Sequence, residues 1–301
     1  MKKSNQDDFF AGIEQVDVWA AGNKVKLPIF YRDARAYIAL FPASIFALKK
    51  LLPDPRFVPA QMVPGIGAIG LACLEYYDTD VGPYNEFAFT IMLNNPNFLQ
   101  VPGYNLTRQL FQFNFYPYIY HLPVTTEQAL RWGIDFSGFP KFLASIDFEE
   151  TPEQISCELK EQDELICKVA GRKIHTPLST LMKFFVRLYQ YSQPQHTEFK
   201  VNARQLGISL NPGTVKLEIG HTHPIALELR RTVLFNRSLM YFYMPSVQFI
   251  LYGPEKISLP LMNFLFQKGM RIELDQLKKP LRGRKKKEEP SRVHSTPRLH
   301  L

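Results

Sequence analysis

Lys141 stands in the run Arg131-Trp-Gly-Ile-Asp-Phe-Ser-Gly-Phe-Pro-Lys141-Phe-Leu-Ala144, one amine among Phe136, Phe139, Pro140, Phe142 and Leu143. If the segment is buried, its ammonium form is poorly solvated, and desolvation favours the neutral amine, which is a nucleophile towards a carbonyl carbon. The ordinary alternative is a lysine whose stem lies over apolar surface while its ammonium reaches water. The spacing alone leaves both open.

Glu86 follows Tyr84 by two, so an extended segment turns both towards one side. By itself this fits a solvated glutamate at a hairpin end. His221 and His223 share a face in the same way, but no third ligand accompanies them, and the structural explanation is preferred to a metal pair. His121 ends an aromatic run and reads equally as a pocket residue or a hydrogen-bonded core histidine. No Gly-x-Gly-x-x-Gly, P-loop, Gly-x-Ser-x-Gly or zinc-protease motif is present, so nucleotide, phosphate and hydrolase chemistry lack support, and no cofactor or metal is expected.

The elements that must position these residues follow from pattern. Tyr31 to Leu40 reads as a strand, and Pro42 to Leu52 as a short helix with Ile45, Leu48 and Leu52 in register, stopped at Pro53. Ile66 to Tyr77 and Phe87 to Leu93 read as strands joined through Asp78-Thr-Asp-Val-Gly82-Pro83. Further strands are expected over residues 110–122, 144–150, 155–161, 165–172, 215–219 and 239–252. The clearest internal helix covers Thr125 to Arg131, with Thr125 or Thr126 as N-cap and Gly133 near its end. Many short strands with few helices predict a mainly β (α+β) fold, a barrel or sandwich with a few peripheral helices, and not a parallel α/β sheet.

The chain has 301 residues, 46% of them hydrophobic, with 24 Phe and 14 Tyr, which places it far from disordered compositions. Its formal charge of +8 is misleading as a sign of polyanion binding, because nearly all of it lies in residues 278–301, with nine Lys or Arg against Glu288 and Glu289. That segment is expected to be a basic, disordered tail. Its run Arg282 to Lys287 suits contact with nucleic acid or an anionic surface, although a solvated end is the usual explanation. Residues 1–30 read as an N-terminal arm packing on the body, 31–277 as the domain, and Leu261 to Phe266 as a terminal core helix or oligomer contact. Cys73, Cys157 and Cys167 form no disulfide or zinc pattern, and neither a signal peptide nor a membrane span is evident, so a cytoplasmic protein is expected.

Several separated segments together resemble the acetoacetate decarboxylase family. Gly138-Phe-Pro-Lys141, preceded by Thr125-Thr-Glu-Gln-Ala129 and Gly133, resembles its lysine segment, and Gly82-Pro-Tyr84-Asn85-Glu86 its glutamate segment. Gly220-His-Thr-His223-Pro224 with Leu229-Arg230 is a weaker match. In order and spacing these cover roughly residues 30 to 260. The resemblance implies a closed, cone-like antiparallel β barrel, frequent homo-oligomerisation, and a small keto-acid substrate. It implies that Lys141 is the Schiff-base lysine, that Glu86 sits over the reacting carboxylate or moves a proton, and that Arg35, or less well Arg32, lies near the substrate. Tyr84, His121, Phe139 and Phe142 are then expected around the substrate. Acetoacetate decarboxylase is the usual illustration of a lysine activated in this way. The chain departs from the family at Phe142, where a second lysine is characteristic, and at Leu71 or Ala72, where a second glutamate is expected. Relatives with altered pockets use the same imine for aldol condensation or dehydration, and a barrel that binds a small acid without turnover is the non-catalytic alternative.

Overall fold

The computed structural model describes residues 9–20 and 23–256. Strands β1 (Val16–Ala20) and β2 (Asn23–Leu27) form a hairpin of their own. Next come β3 (Ile29–Ser44), α1 (Ile45–Leu51), β4 (Gln61–Val63), β5 (Ile66–Thr79) and β6 (Tyr84–Met92). They are followed by α2 (Tyr104–Gln112), β7 (Asn114–Phe115), β8 (Pro117–Val124), α3 (Glu127–Ser137) and β9 (Lys141–Leu143). The rest of the chain forms β10 (Ser145–Glu150), β11 (Gln154–Glu161), β12 (Glu164–Arg172), β13 (Leu178–Gln190), β14 (Gln193–Ser209), β15 (Val215–Ile219), α4 (Pro224–Thr232), β16 (Met240–Leu251) and β17 (Glu255–Lys256).

The fold is mainly β, as expected. One large sheet pairs β14, β16, β3, β5, β6, β8 and β13 in that order, and β13 also pairs β14, so the path of hydrogen-bonded neighbours returns to its start. Most of these pairings are antiparallel. The exceptions are β13, which runs parallel to β7 and, at the single pair Arg187 and Tyr118, to β8, and β9, which runs parallel to β8. A second sheet, β10-β11-β12-β15, covers part of the outer face.

Two faces of the same strands therefore see two cores. On β3, Ala34, Ala36, Ile38 and Leu40 contribute to one cluster, whereas Tyr37, Ala39, Phe41 and Ala43 pack in the other, against Ile155, Leu159, Val169 and Leu217 of the second sheet. A strand buried on both faces reads as an unbroken apolar run, which is why residues 36–43 of β3 and 66–74 of β5 are conspicuous in the sequence.

Some expectations are displaced. Residues 42–44 extend β3, and Ser44, not Pro42, opens α1, its Oγ accepting from the Ala47 amide. The strand expected from Leu110 starts only at Asn114, because residues 104–112 are helical. Asn105 and Gln109 lie one turn apart on the inward side of that helix. Gln109 donates to the Leu93 carbonyl (2.8 Å) and accepts from the Tyr116 amide (3.0 Å). The alternating Phe111, Phe113 and Phe115 imitate a strand, although Phe111 is exposed. The helix expected over 125–131 runs on to Ser137, past Gly133. Its left-handed C-terminal residue is Gly138 (φ 64°). Glycine adopts that conformation without steric cost. Strands β13 and β14 lie outside the sequence-based expectations. Their hairpin turns at Tyr191 and Ser192, both with positive φ (50° and 57°). The turn lacks the Asn-Gly chemistry that marks such connections. The Leu261 to Phe266 segment, the boundary at 277 and the basic tail lie outside the described residues. Among the described residues no helix is long and apolar enough to cross a membrane.

Candidate functional site

The route to Lys141 begins at α3. Thr126 caps its N-terminus, accepting from the Ala129 amide at 3.3 Å. Gly138 ends it, with its own amide and that of Phe139 bonding back to the Ile134 and Gly133 carbonyls. After Phe139 and Pro140 the chain joins β8 as β9, placing Lys141 opposite Leu122. Leu122 faces the interior of the large sheet, and Lys141 faces it with Leu122. The lysine stem passes directly over α3 at Gly133. A Cβ there would come within 2.4 Å of Lys141 Cδ and Cε, so only glycine admits the stem.

Glu86 arrives from the other side. The turn at Gly82 (φ 87°) starts β6, and the β5–β6 register sets Glu86 against Leu74 and Tyr84 against Tyr76. Lys141 Nζ lies 2.8 Å from Glu86 Oε2, with the two side chains only 6% and 8% exposed. Tyr76 donates to Glu86 Oε1 at 3.2 Å, and Tyr84 approaches Oε2 at 3.5 Å, itself 3.4 Å from the Tyr31 hydroxyl. Lys141 Nζ also sits 5.4 Å from the Tyr84 ring centroid and 5.9 Å from that of Phe139. Both distances are within cation–π range. Burial, reinforced by the charge of Glu86, holds the Tyr31, Tyr76 and Tyr84 phenols above their ordinary range, so they remain O–H donors.

The pair opens on a cavity of about 120 Å³. Apart from Glu86 and Lys141, its polar lining residues are Tyr31, Tyr76 and Thr90, and every other lining residue is apolar. The room is several times what one water molecule requires (roughly 10–15 Å³), but few of its walls offer water a partner.

The expected site residues divide into two groups. Lys141, Glu86, Tyr84 and Phe139 come together. Arg35 does not: it shares the outer face of β3 with Tyr37, where it binds Glu75 (Nε to Oε2, 3.0 Å) and Glu150. Arg32 is likewise engaged, with Asp80 at 2.6 Å. His121 and Phe142 also point away. Each neighbours an inward residue, Leu122 or Lys141, and strand alternation sends it to the opposite face. There the two rings meet at 6.4 Å and His121 binds Glu228 at 3.1 Å. The same alternation resolves the missing second glutamate, since Ala72 lines the cavity and Leu71 packs on the other side. His223 caps α4 and binds Glu161 at 2.9 Å, and His221 contacts Arg230. Sequence reasoning missed Tyr31, Tyr76 and the inward methionines Met92, Met182 and Met244. The alternation of β5 carries a usable sign for Tyr76 and that of β6, running on from Glu86, for Met92, but Met182 and Met244 lie on strands whose facing is not legible in the sequence.

Fold and site together define a mainly β protein whose strands surround an apolar cavity holding one buried lysine–glutamate pair. A model of the acetoacetate decarboxylase (ADC) family matches residues 19–233, and the chain belongs to that family. Its structure is similar to that of an acetoacetate decarboxylase from Legionella pneumophila (13% identity, 86% of this chain and 97% of that one, TM-score 0.54). It is also similar to another structure of acetoacetate decarboxylase (13% identity, 76% and 89% covered, TM-score 0.53). A third similar structure is the enduracididine biosynthesis enzyme MppR complexed with pyruvate (10% identity, 77% and 91% covered, TM-score 0.52). At these identities the likeness concerns the fold. A search of curated protein sequences found no significant match.

Proposed function

We propose that this protein is a Schiff-base-forming lyase that decarboxylates a 3-keto acid through an imine on Lys141. The observation that carries the reading is the Lys141–Glu86 pair, buried at the polar end of an otherwise apolar cavity. Transfer of the ammonium proton to Glu86, whose Oε2 lies 2.8 Å from Nζ, frees the amine for attack. The free amine then attacks the ketone carbon, and the carbinolamine loses water to give a protonated imine. The bond to the carboxylate breaks, its electron pair enters the imine to form an enamine, and CO₂ departs. Glu86 having given its proton to the departing water, a proton taken up from solvent reaches the enamine carbon, and water hydrolyses the resulting protonated imine to release the ketone and the Lys141 ammonium. Separation into CO₂ and a neutral enamine removes a carboxylate and an iminium charge together, so an apolar site favours the forward step.

This reading includes the ring of strands as the closed, cone-like barrel of the family. It also takes residues 1–30 as an arm, 31–277 as the domain and 278–301 as a basic tail, in a cytoplasmic homo-oligomer. Ala72, standing where a second glutamate is characteristic, supports a second reading in which the same imine serves aldol condensation or dehydration. Incubation with acetoacetate and borohydride should add the reduced adduct to the peptide containing Lys141, with none in Lys141→Ala. Absence of any adduct across a panel of keto acids overturns the imine. Adduct without CO₂ release moves the assignment to the aldol or dehydration reading.

A further inference from the structure

The distribution of polarity within the cavity is lopsided. Along β6 the inward residues run Glu86, Ala88, Thr90, Met92. At about 3.4 Å per residue, Met92 lies roughly 20 Å from Glu86 along the strand. Glu86, Lys141, Tyr76 and Tyr31 mark one end, and Met92 with its strand partner Pro117 marks the other. Between them Ala72 and Ala88 stand directly opposite each other across β5 and β6, and their small side chains leave the space that larger residues would fill. Thr90, the one polar residue beyond that point, donates its hydroxyl to the Gly70 carbonyl at 3.1 Å. Among the described residues lining the cavity, Lys141 is the sole cation.

We infer that the substrate carries an apolar tail, alkyl or aryl, of at most about six carbons, with its carbonyl at Lys141 and the tail running past Ala72 and Ala88 towards Met92. This rests on the imine reading above and specifies its substrate. The size follows from comparison with a dry, apolar protein cavity of about 150 Å³ that accepts benzene. The cavity of this protein, at about 120 Å³, is close to that. A polar or charged tail would be buried there without a partner. The methionine side chains of Met92, Met182 and Met244 allow the wall to adapt to the shape of the tail.

The test is reductive trapping of acetoacetate and of its homologues with propyl, hexyl and nonyl groups in place of the methyl, read as the half-saturating concentration for adduct on the Lys141 peptide. That concentration should fall by about fourfold per added methylene until the cavity is full, at hexyl at the latest, and then level off. In Ala88→Leu, which narrows the middle of the cavity, the ratio between the hexyl homologue and acetoacetate should drop towards one. Adducts formed at equal concentrations along the series overturn the tail while leaving the imine intact. If no member forms an adduct, the imine fails, and calorimetry of Lys141→Ala with nonan-2-one and butan-2-one decides the tail separately. Tighter binding of nonanone supports it, and equal or no binding overturns it.

Discussion

Removing the amine of Lys141 while keeping Glu86 leaves a buried carboxylate facing only tyrosine hydroxyls. Breaking a buried pair in this way costs about 3–5 kcal/mol, whereas replacing both charges by neutral groups of similar volume is close to neutral. Lys141→Met should therefore lower the urea midpoint markedly, and Lys141→Met/Glu86→Gln should recover most of the loss while remaining inactive in borohydride trapping. Equal stabilities of the single and double variants would mean that the pair is solvated in solution. Arg35 makes the converse case. Its partners Glu75 and Glu150 lie on the outer face of β3, so Arg35→Gln should reduce stability without changing the half-saturating concentration for trapping.

At the scale of elements, Gly133 leaves no room on α3 for a side chain beside the Lys141 stem. In an ordinary helix Gly→Ala gains about 1 kcal/mol. In α3 the new methyl would occupy the space of the Lys141 stem, so Gly133→Ala should lose adduct formation at least tenfold even where helix content by circular dichroism is unchanged. The β13–β14 turn offers the opposite expectation. Ser192 has a left-handed backbone. That conformation costs a residue other than glycine roughly 1 to about 2 kcal/mol, so Ser192→Gly should raise the melting temperature and leave trapping unaffected. A lowered melting temperature would indicate that the serine side chain, not its backbone, matters there. These two glycine arguments carry opposite signs because one concerns occupied space and the other a dihedral angle.

Over the whole molecule, the buried tyrosines set an alkaline limit. Burial pushes the phenols of Tyr31, Tyr76, Tyr84 and Tyr120 well above their ordinary range. Above the unfolded phenol value of about 10, the unfolded chain releases protons that the folded chain retains, so stability falls as pH rises further. Denaturant midpoints measured from neutral pH upward should begin to fall above the unfolded thiol value of about 8.5, because the buried Cys157 and Cys167 also keep their protons in the fold, and more steeply above about 10, with full tyrosinate absorbance reached only on unfolding. Full-amplitude tyrosinate absorbance reached before unfolding would show that these buried rings are accessible. The deeply buried Cys157 and Cys167 thiols are likewise held above the usual thiol range by burial and should resist alkylation until the protein unfolds.

The sequence by itself determined the mainly β class, the strands whose two buried faces make them unbroken apolar runs, and the association of Lys141 with Glu86 through a family resemblance carried by several segments. Tyr84 and Glu86 are legible as a same-face pair because strand alternation is a local property. What only the tertiary structure decided was which side of each strand became the cavity. A strand buried on both faces gives no sign of facing, and a one-residue step exchanges inside for outside. That is why Arg35, His121 and Phe142, each one residue from an inward neighbour, group with the site in the sequence and lie outside it in the fold. Gly133 reads as a helix end because its role, room for a side chain eight positions further on, exists only when β9 folds back over α3.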